Sequence, residues 1–299
     1  MQKSVKAPSL RSGGRFRKEL PFHLMLLPGV IIVFIFMYIP LSGLIIAFQK
    51  FVPAKGLFGN QKWIGWDNFI YLYNLPGAVS ALRNTVIIAF WKIILHLIIP
   101  ITVSILLNEI RSTAFRRTAQ TLIYLPHFLS WIILGGILNR LLGLFGREPI
   151  FFLGSNDYFR GTLIVTDVWK EFGFNTIVYL AAITNIDPNQ YEAATIDGAN
   201  RFQKMLYITL PNMRMIIVLM MVLSLGNVLN AGFDQVYNLY SKQVYSTGDI
   251  LDTFIYRIGL LDAQFGVATA MGMFKSVVST IFISTSYFCA YKFADYRIF

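Results

Sequence analysis

The chain has 299 residues, of which 56% are hydrophobic and 14% are charged, and its formal net charge is +11 at pH 7. Soluble domains need a more highly charged surface, so this composition excludes an ordinary soluble protein and indicates a lipid bilayer. The basic residues are scattered and form no single face, which argues against nucleic-acid binding. With Cys289 as the single cysteine, an intrachain disulfide and a metal site of several cysteines are excluded.

Six apolar stretches are each long enough to form a membrane-spanning helix, because about twenty helical residues cross roughly 30 Å of hydrocarbon. The sequence therefore predicts an all-α, polytopic membrane protein with about six transmembrane helices. The predicted spans are residues 22–48, 86–107, 119–142, 161–184, 214–233 and 266–291. Residues 1–21 are expected to form a basic N-terminal arm, and residues 22–299 one transmembrane domain.

The basic arm could belong to a secretory signal. However, the apolar stretch after it is longer than the 7–15 residues typical of a signal core, and no small-residue cleavage site closes it, so we interpret it as an uncleaved helix. Short loops rich in Lys and Arg stay in the cytoplasm, and both termini are therefore expected to be cytoplasmic. The loop residues that support this orientation are Arg111, Arg116, Arg117, Arg201, Lys204 and Arg214.

The polar segment 185–213, between predicted spans four and five, carries helix-start and helix-end signals. Asp187 is a suitable N-cap, Pro188 suits the first helical position, and Gln190 completes a pattern like a capping box. These residues predict a short helix through Glu192 to Asp197. Gly198 can then supply the positive φ of a tight helix exit.

A second short helix is predicted after Asn200, which can cap it, and before Pro211. Its apolar residues recur at three- and four-residue spacing and need a partner. That partner could be the protein's own helix ends, the membrane surface or a groove in another subunit. The residues of this stripe are Phe202, Met205, Leu206 and Thr209.

Several ionisable residues fall at predicted membrane depth, where a charge is costly and usually faces a bundle interior or a watery cavity. They are Lys92, His96, Asp167, Lys170, Glu171 and Lys275. Two interpretations remain open for each residue, structural pairing with an opposite charge and lining of a translocation pathway.

Polar residues near the end of predicted span five are expected to lie close to one helical face, where they could bond to sugar hydroxyls. They are Ser224, Asn227, Asn230 and Asp234. Phe233, Phe274 and Tyr287 could provide flat apolar platforms for sugar rings. The alternative for all of these residues is interhelical hydrogen bonding with ordinary aromatic packing.

The spacing of segment 185–213 resembles, without a gap, the coupling motif of ABC-importer permeases. The matching residues are Glu192, Ala193, Ala194, Gly198, Leu210 and Pro211. The resemblance implies a cytoplasmic coupling helix that sits in a cleft of an ATP-binding subunit. Glu192 would contact a basic or donor group there, the two alanines would keep the helix slim, and Gly198 would permit the turn beside Asp197.

Two wider regions are similar to the carbohydrate branch of these permeases, which imports oligosaccharides and polysaccharide fragments. They comprise residues 179–199 and, farther on, residues 232–236 with 252–256. The resemblance implies an alternating-access permease in a bacterial cytoplasmic membrane, paired with a second homologous permease subunit. A nucleotide-binding ATPase dimer would carry ATP and Mg, and an external sugar-binding lipoprotein would deliver the substrate. The other contacts would be membrane lipids.

The sequence contains no G-x-x-x-x-G-K-[ST] phosphate loop, no H-E-x-x-H pair and no G-x-S-x-G elbow. We therefore expect a transport subunit that has no catalytic residue, binds no cofactor or metal, and depends on ATP hydrolysis elsewhere. Two further hypotheses are an ion-gradient-driven secondary transporter, suggested by the intramembrane charges, and an intramembrane enzyme that uses Asp167 or Glu171.

Overall fold

The computed structural model describes residues 12–144, 152–226 and 228–294, which form a bundle of α-helices. The helices are α1 (Ser12–Val33), α2 (Asp67–Asn74), α3 (Ala78–Glu109), α4 (Thr113–Tyr124), α5 (Trp131–Leu144), α6 (Asn156–Thr184), α7 (Pro188–Ile196), α8 (Arg201–Lys204), α9 (Leu210–Gly226), α10 (Phe233–Leu239), α11 (Tyr245–Gly248), α12 (Leu251–Tyr256) and α13 (Phe265–Ala294). The all-α prediction is confirmed.

Shorter elements interrupt or extend these helices. Two strands, β1 (Gln49–Lys50) and β2 (Lys62–Trp63), pair antiparallel. The π-helical segments are Phe34–Tyr38, Met205–Thr209 and Arg257–Leu261. The 3-10 segments are Ile39–Phe48, Pro53–Lys55, Leu125–Phe128 and Lys242–Val244. Because α1 begins at Ser12, the expected boundary between residues 21 and 22 falls inside a helix.

Four stretches of the described chain are long and apolar enough to cross a membrane: Glu19–Phe48, Ala78–Glu109, Arg201–Gly226 and Phe265–Phe288. A bent pair of helices could provide a fifth. Predicted span four lies within α6, which is 29 residues long but carries charged residues along its length. The count of six spans therefore stays a prediction.

Predicted span three is not one continuous helix from 119 to 142, and this expectation was wrong. Segments Thr113–Phe128 and Trp131–Leu138 meet at an angle of 100°. Pro126 lies in the 3-10 turn that ends the first segment, Leu129 is extended, and the Ser130 hydroxyl accepts a hydrogen bond from the Ile133 amide at 3.3 Å. Proline disfavours continuation of the helix, and the serine caps the new one.

The helix of predicted span five begins and ends earlier than 214–233, because α8, the π-helical segment and α9 form one helix from Arg201 to Gly226. The expectation that the second short helix ends before Pro211 was therefore wrong. In the π-helical segment the Leu210 amide bonds to the Met205 carbonyl. This wider turn directly precedes Pro211, whose ring would clash with an ordinary preceding helical turn.

Two apolar clusters hold the bundle together. The larger joins the first halves of α3 and α6 to α10, α12 and α13, with Ile88, Phe159 and Val236 fully buried. The smaller lies nearer to segment 185–213 and packs Tyr179 of α6 against Met213 of α9. By contrast, large apolar side chains along the span Glu19–Phe48 are exposed, as expected for a surface that lipid or another subunit covers.

Gly173 of α6 marks a close approach to the end of α4. A Cβ atom at this position would lie 1.9 Å from the Ile123 carbonyl oxygen. Backbone atoms cannot rotate away as a side chain can, so the two helices can meet at this distance because residue 173 is a glycine.

Gly173→Ala should therefore lower the free energy of unfolding by about 1–3 kcal/mol through overpacking, measured by graded SDS denaturation of the purified protein. Gly161→Ala is the matched control, because it lies on the same helix and nothing is within 4 Å of its added Cβ. The control should be neutral or mildly stabilising. Equal stability of the two variants would contradict this account of the α4–α6 contact.

Candidate functional site

Helix α7, which carries the coupling motif, begins as predicted. The Asp187 carboxylate accepts a hydrogen bond from the Asn189 amide at 3.0 Å, and Pro188 is the first helical residue. The helix ends at Ile196, and Gly198 has φ +80°. The expected capping box with Gln190 does not form. The Oε1 atom of Gln190 instead accepts a hydrogen bond from Asn212 at 3.0 Å.

The second helix of this segment begins with the predicted cap. Asn200 and Gln203 form a reciprocal capping box. The apolar stripe divides along its length, because Thr209 is buried inside the protein whereas Phe202 and Leu206 are exposed. The protein's own helices therefore cover one end of the stripe, and the other end is open.

Three hydrogen bonds attach α7 to the long helix that follows it. Tyr191 Oη lies 2.9 Å from Thr209 Oγ1, and Lys204 Nζ donates to Thr195 Oγ1 at 2.7 Å. The third is the bond between Asn212 and Gln190. These bonds anchor α7 to the helix Arg201–Gly226.

The opposite surface of α7 faces outward. Glu192, Ala193, Asp197 and Gly198 are exposed, and Ile196 is 86% exposed. Leu210 is half-buried and Pro211 is exposed at the start of α9, one segment away. The first part of the motif thus forms an open surface, while its Leu-Pro end lies at the junction with the long helix.

A cavity of about 410 Å³ lies between α3, α6, α9 and the segment before α10. Its wall combines apolar residues with a set of polar side chains. The polar side chains are those of Lys92, His96, Asp167, Glu171, Asn175, Ser224 and Asn230. The volume falls within the range of about 300–1,000 Å³ usual for small-molecule sites.

Lys92 is the centre of a buried polar network at this wall. Its Nζ atom lies 3.2 Å from Asp167 Oδ1 and donates to Gln235 Oε1 at 2.5 Å and to the Ala231 carbonyl at 2.8 Å. His96 Nε2 lies 2.9 Å from the other oxygen of Asp167. The network joins α3, α6 and α10.

A second ionic group lies farther along α6. Lys170 Nζ contacts Glu171 Oε1 at 2.8 Å and donates to the His127 carbonyl at 2.8 Å. The His127 Nδ1 atom lies 2.6 Å from Glu171 Oε2, and its ring stacks on Phe174. Glu171 also lines the cavity, whereas Lys170 is buried beside it.

Lys92, Asp167 and Glu171 are paired with opposite charges, and the same residues line the cavity. Pairing with an opposite charge is thus confirmed for these residues, whereas their lining of a translocation pathway stays a prediction. Lys275 pairs with Asp252 in a separate place.

The polar residues assigned to span five do not share one helical face. Ser224 is on α9 and Asn230 is in the non-helical segment after it, and both line the cavity. Asp234 lies exposed on α10, and Asn227 lies outside the described residues. Because α9 ends at Gly226 and Gly232 takes φ +94°, the chain changes direction between these positions.

Two aromatic candidates lie away from this cavity. Phe233 lines a neighbouring cavity, and Phe274 lines an apolar recess with Phe69 and Leu251. Two polar residues that sequence reasoning missed belong to the site. Asn175 follows Glu171 by four residues and so shares its helical face, and Gln235 donates to the Leu163 carbonyl and to Thr166 while it accepts from Lys92.

Within residues 12–144, 152–226 and 228–294 no group of three or more His, Cys, Asp and Glu side chains is arranged to hold a metal ion.

A bundle of long apolar helices around a polar cavity, with a short polar helix exposed between two of them, defines a membrane transport protein. Residues 96–298 match the family described as "Binding-protein-dependent transport system inner membrane component", and the chain belongs to this family. It is thus a multi-pass inner-membrane permease subunit of the ABC importers for sugars and polysaccharides, a transport component rather than an enzyme.

Two relatives from Bacillus subtilis (strain 168) match nearly the whole chain. The polygalacturonan/rhamnogalacturonan transport system permease protein YteP is 39% identical, over 93% of this chain and 89% of the relative. Protein LplB is 36% identical, over 99% of this chain and 98% of the relative. The family does not favour the ion-gradient-driven hypothesis.

The fold also matches a subunit of a solved importer. A chain in the crystal structure of a bacterial ABC transporter that imports the acidic polysaccharide alginate aligns with a TM-score of 0.86 and 34% identity, covering 95% of this chain and 99% of that chain. A second structure, of the alginate transporter with an alginate pentasaccharide-bound periplasmic protein, aligns with a TM-score of 0.85 and 33% identity, covering 95% and 98%.

The buried pair of Lys92 and Asp167 should be strongly coupled. Lys92→Met takes the ammonium partner from Asp167, and Asp167→Leu takes the carboxylate partner from Lys92, so each alone should cost about 3–5 kcal/mol of stability. The double variant should recover most of that loss, measured by graded SDS denaturation of all four proteins. If the sum of the two single losses equals the loss of the double variant to within about 0.5 kcal/mol, the residues are not coupled.

Proposed function

We propose that this chain is the translocation subunit of an ATP-driven importer that carries an oligosaccharide or polysaccharide fragment by alternating access. One observation carries the proposal: the same long helix bears the exposed coupling helix at one end and lines the polar cavity at the other. Thr209 and Asn212 bind α7, and Ser224 lies in the cavity wall. At 1.5 Å per residue these points are about 20 Å apart, so a movement imposed on α7 reaches the cavity through one rigid element.

The outward surface of α7 is suited to a cleft in a nucleotide-binding subunit. Ala193 presents a small side chain, Ile196 presents an apolar one, and Glu192 presents a charge. In this proposal an ATPase dimer holds ATP and Mg and receives α7, with Asp197 and Gly198 at the edge of the contact. Segment 185–213 and both termini then lie in the cytoplasm, in agreement with the distribution of Lys and Arg.

The cavity wall is suited to a sugar. Ser224, Asn230 and Asn175 offer hydrogen-bond donors and acceptors, and Asp167 and Glu171 offer charged acceptors for hydroxyl groups. The relatives named for polygalacturonan and alginate support a saccharide as the substrate class. A second, homologous permease would close the open side of the cavity, and an external sugar-binding lipoprotein would deliver the substrate.

Glu192→Lys should prevent docking of the ATPase, because it reverses the charge on the exposed face of α7. Loss of a central interface contact costs about 2 kcal/mol or more, or roughly thirty-fold in affinity. The measurement is affinity purification of the tagged chain from mild detergent, with quantification of the co-purifying ATPase and of saccharide uptake by the reconstituted complex.

Thr118→Lys, at an exposed position on α4 outside the motif, adds a positive charge and is the matched control. It should retain the ATPase, and both variants should retain the second permease. Normal ATPase recovery and uptake with Glu192→Lys would contradict the coupling role.

Tyr191→Phe should separate docking from coupling, because it removes the hydroxyl that lies 2.9 Å from Thr209 Oγ1 and leaves the outer face of α7 intact. The ATPase should still co-purify, while the saccharide imported per ATP hydrolysed should fall up to about five-fold, the equivalent of one hydrogen bond of about 1 kcal/mol. Tyr207→Phe, at an exposed tyrosine two residues before Thr209, should have no effect. Loss of ATPase binding with Tyr191→Phe would argue against this division of roles.

A further inference from the structure

A second cavity of about 600 Å³ lies beside the first, between α10, α12, the following π-helical segment and α13. The coupling mechanism does not account for it. Its lining includes three aromatic rings and four polar side chains. The residues that matter for its chemistry are Asn230, Phe233, Asp252, Tyr256, Thr269 and Lys275.

Aromatic rings form one side of this second cavity. Phe233 and Tyr256 line it with ring centroids 5.7 Å apart. Tyr237 packs behind them, stacked on Phe233 at 5.3 Å and edge-on to Tyr256 at 5.1 Å. The rings therefore hold one another in place, and they offer a rigid apolar platform to a flat, partly apolar ligand.

An ion pair forms the polar side. Lys275 Nζ contacts Asp252 Oδ1, and the two side chains remain 22% and 19% exposed. The hydroxyl of Thr269 donates to the Phe265 carbonyl at 2.7 Å, so its lone pairs are available to accept. A half-open ion pair presents both a charged donor and a charged acceptor, which suits a ligand with many hydroxyl groups.

The two cavities share a residue. Asn230 lines both of them, and Phe233, three residues farther on, lines the second. Segment 228–232 is therefore the boundary between the cavities. A linear molecule in the first cavity that extended past Asn230 would therefore contact the lining of the second.

We propose that this second cavity is an additional saccharide subsite, which places one sugar ring on Phe233 and Tyr256 with its hydroxyls toward Asp252 and Lys275. The inference rests on the proposed function and extends it to substrate length. The adjoining ring lies in the first cavity, so the transported molecule has at least two linked sugar units, and longer chains make more contacts than short ones.

Cysteine protection tests the two cavities separately. In a Cys289→Ser background, Ser224→Cys reports on the first cavity and Thr269→Cys on the second. The complex that co-purifies with the tagged chain is treated with a hydrophilic maleimide, with and without a pool of galacturonate, alginate and arabinose hexasaccharides. When the hexasaccharide concentration is ten times its Kd, both cysteines should be labelled about ten-fold more slowly, because occupied sites are shielded.

The possible results have different meanings. Protection at Ser224→Cys alone overturns the second subsite and leaves the proposed function intact. Protection at neither position overturns both. Thr269→Cys could also be shielded in the assembled complex without saccharide and react once the second permease is removed. That result assigns the cavity to a subunit interface and also overturns the subsite.

Tyr256→Ala provides a second test. It should raise the KM of the reconstituted complex for the best-transported hexasaccharide about two- to ten-fold, the usual contribution of an aromatic contact, with a smaller effect for the matching disaccharide. Tyr256→Phe keeps the ring and should behave like the parent. An equal effect of Tyr256→Ala on both substrates would identify a structural role for the ring and overturn the subsite.

Discussion

The buried pair of Lys92 and Asp167 is the constraint on which the rest of the bundle depends. An ammonium group among apolar helices is tolerated when a carboxylate and further hydrogen bonds surround it, since an unpaired buried charge costs several kcal/mol. Here Asp167, Gln235 and the Ala231 carbonyl together complete the shell. Any sliding of α3 along α6 would break this shell, so the pair fixes the register of the two helices and the position of α10 against them.

Within this fixed register, the irregular parts of the chain position the coupling surface and the cavity walls. The π-helical segment Met205–Thr209 lets one helix continue past Pro211, so the coupling surface and the cavity wall belong to the same element. The end of α9 at Gly226 and the turn at Gly232 then bring Asn230 between the two cavities. These two departures from regular helix lie at the coupling end and between the cavities.

The chemistry of the first cavity follows from the same pairs. The side chains of Asp167 and Glu171 are 15% and 28% exposed, whereas that of Lys92 is 7% exposed. The wall therefore presents hydrogen-bond acceptors more openly than positive charge. This arrangement suits hydroxyl groups of a sugar, and positive charge for an acidic sugar would have to come from elsewhere in the assembled importer.

Local signals in the sequence were sufficient for the helical class, the long apolar stretches and the start of α7. Asp187, Pro188 and Gly198 determine their surroundings through short-range capping and φ preferences, which do not depend on the rest of the fold. The motif that begins at Glu192 was likewise readable, because all of its residues lie within one short polar segment. The family assignment confirms the transporter class that this motif predicted.

The path of the chain around its breaks was not readable from local signals. A proline predicts that a helix is disturbed but not how the chain responds. Near Pro126 the chain bends by 100°, whereas at Pro211 the helix continues after a π-helical turn. The pairing of Lys92 with Asp167, of Glu171 with His127 and of Lys275 with Asp252 depends on contacts between residues distant in sequence. Composition and local periodicity thus determine which segments are helical and apolar, while packing between those segments decides which charges meet and where the cavities form, because these contacts depend on three-dimensional register.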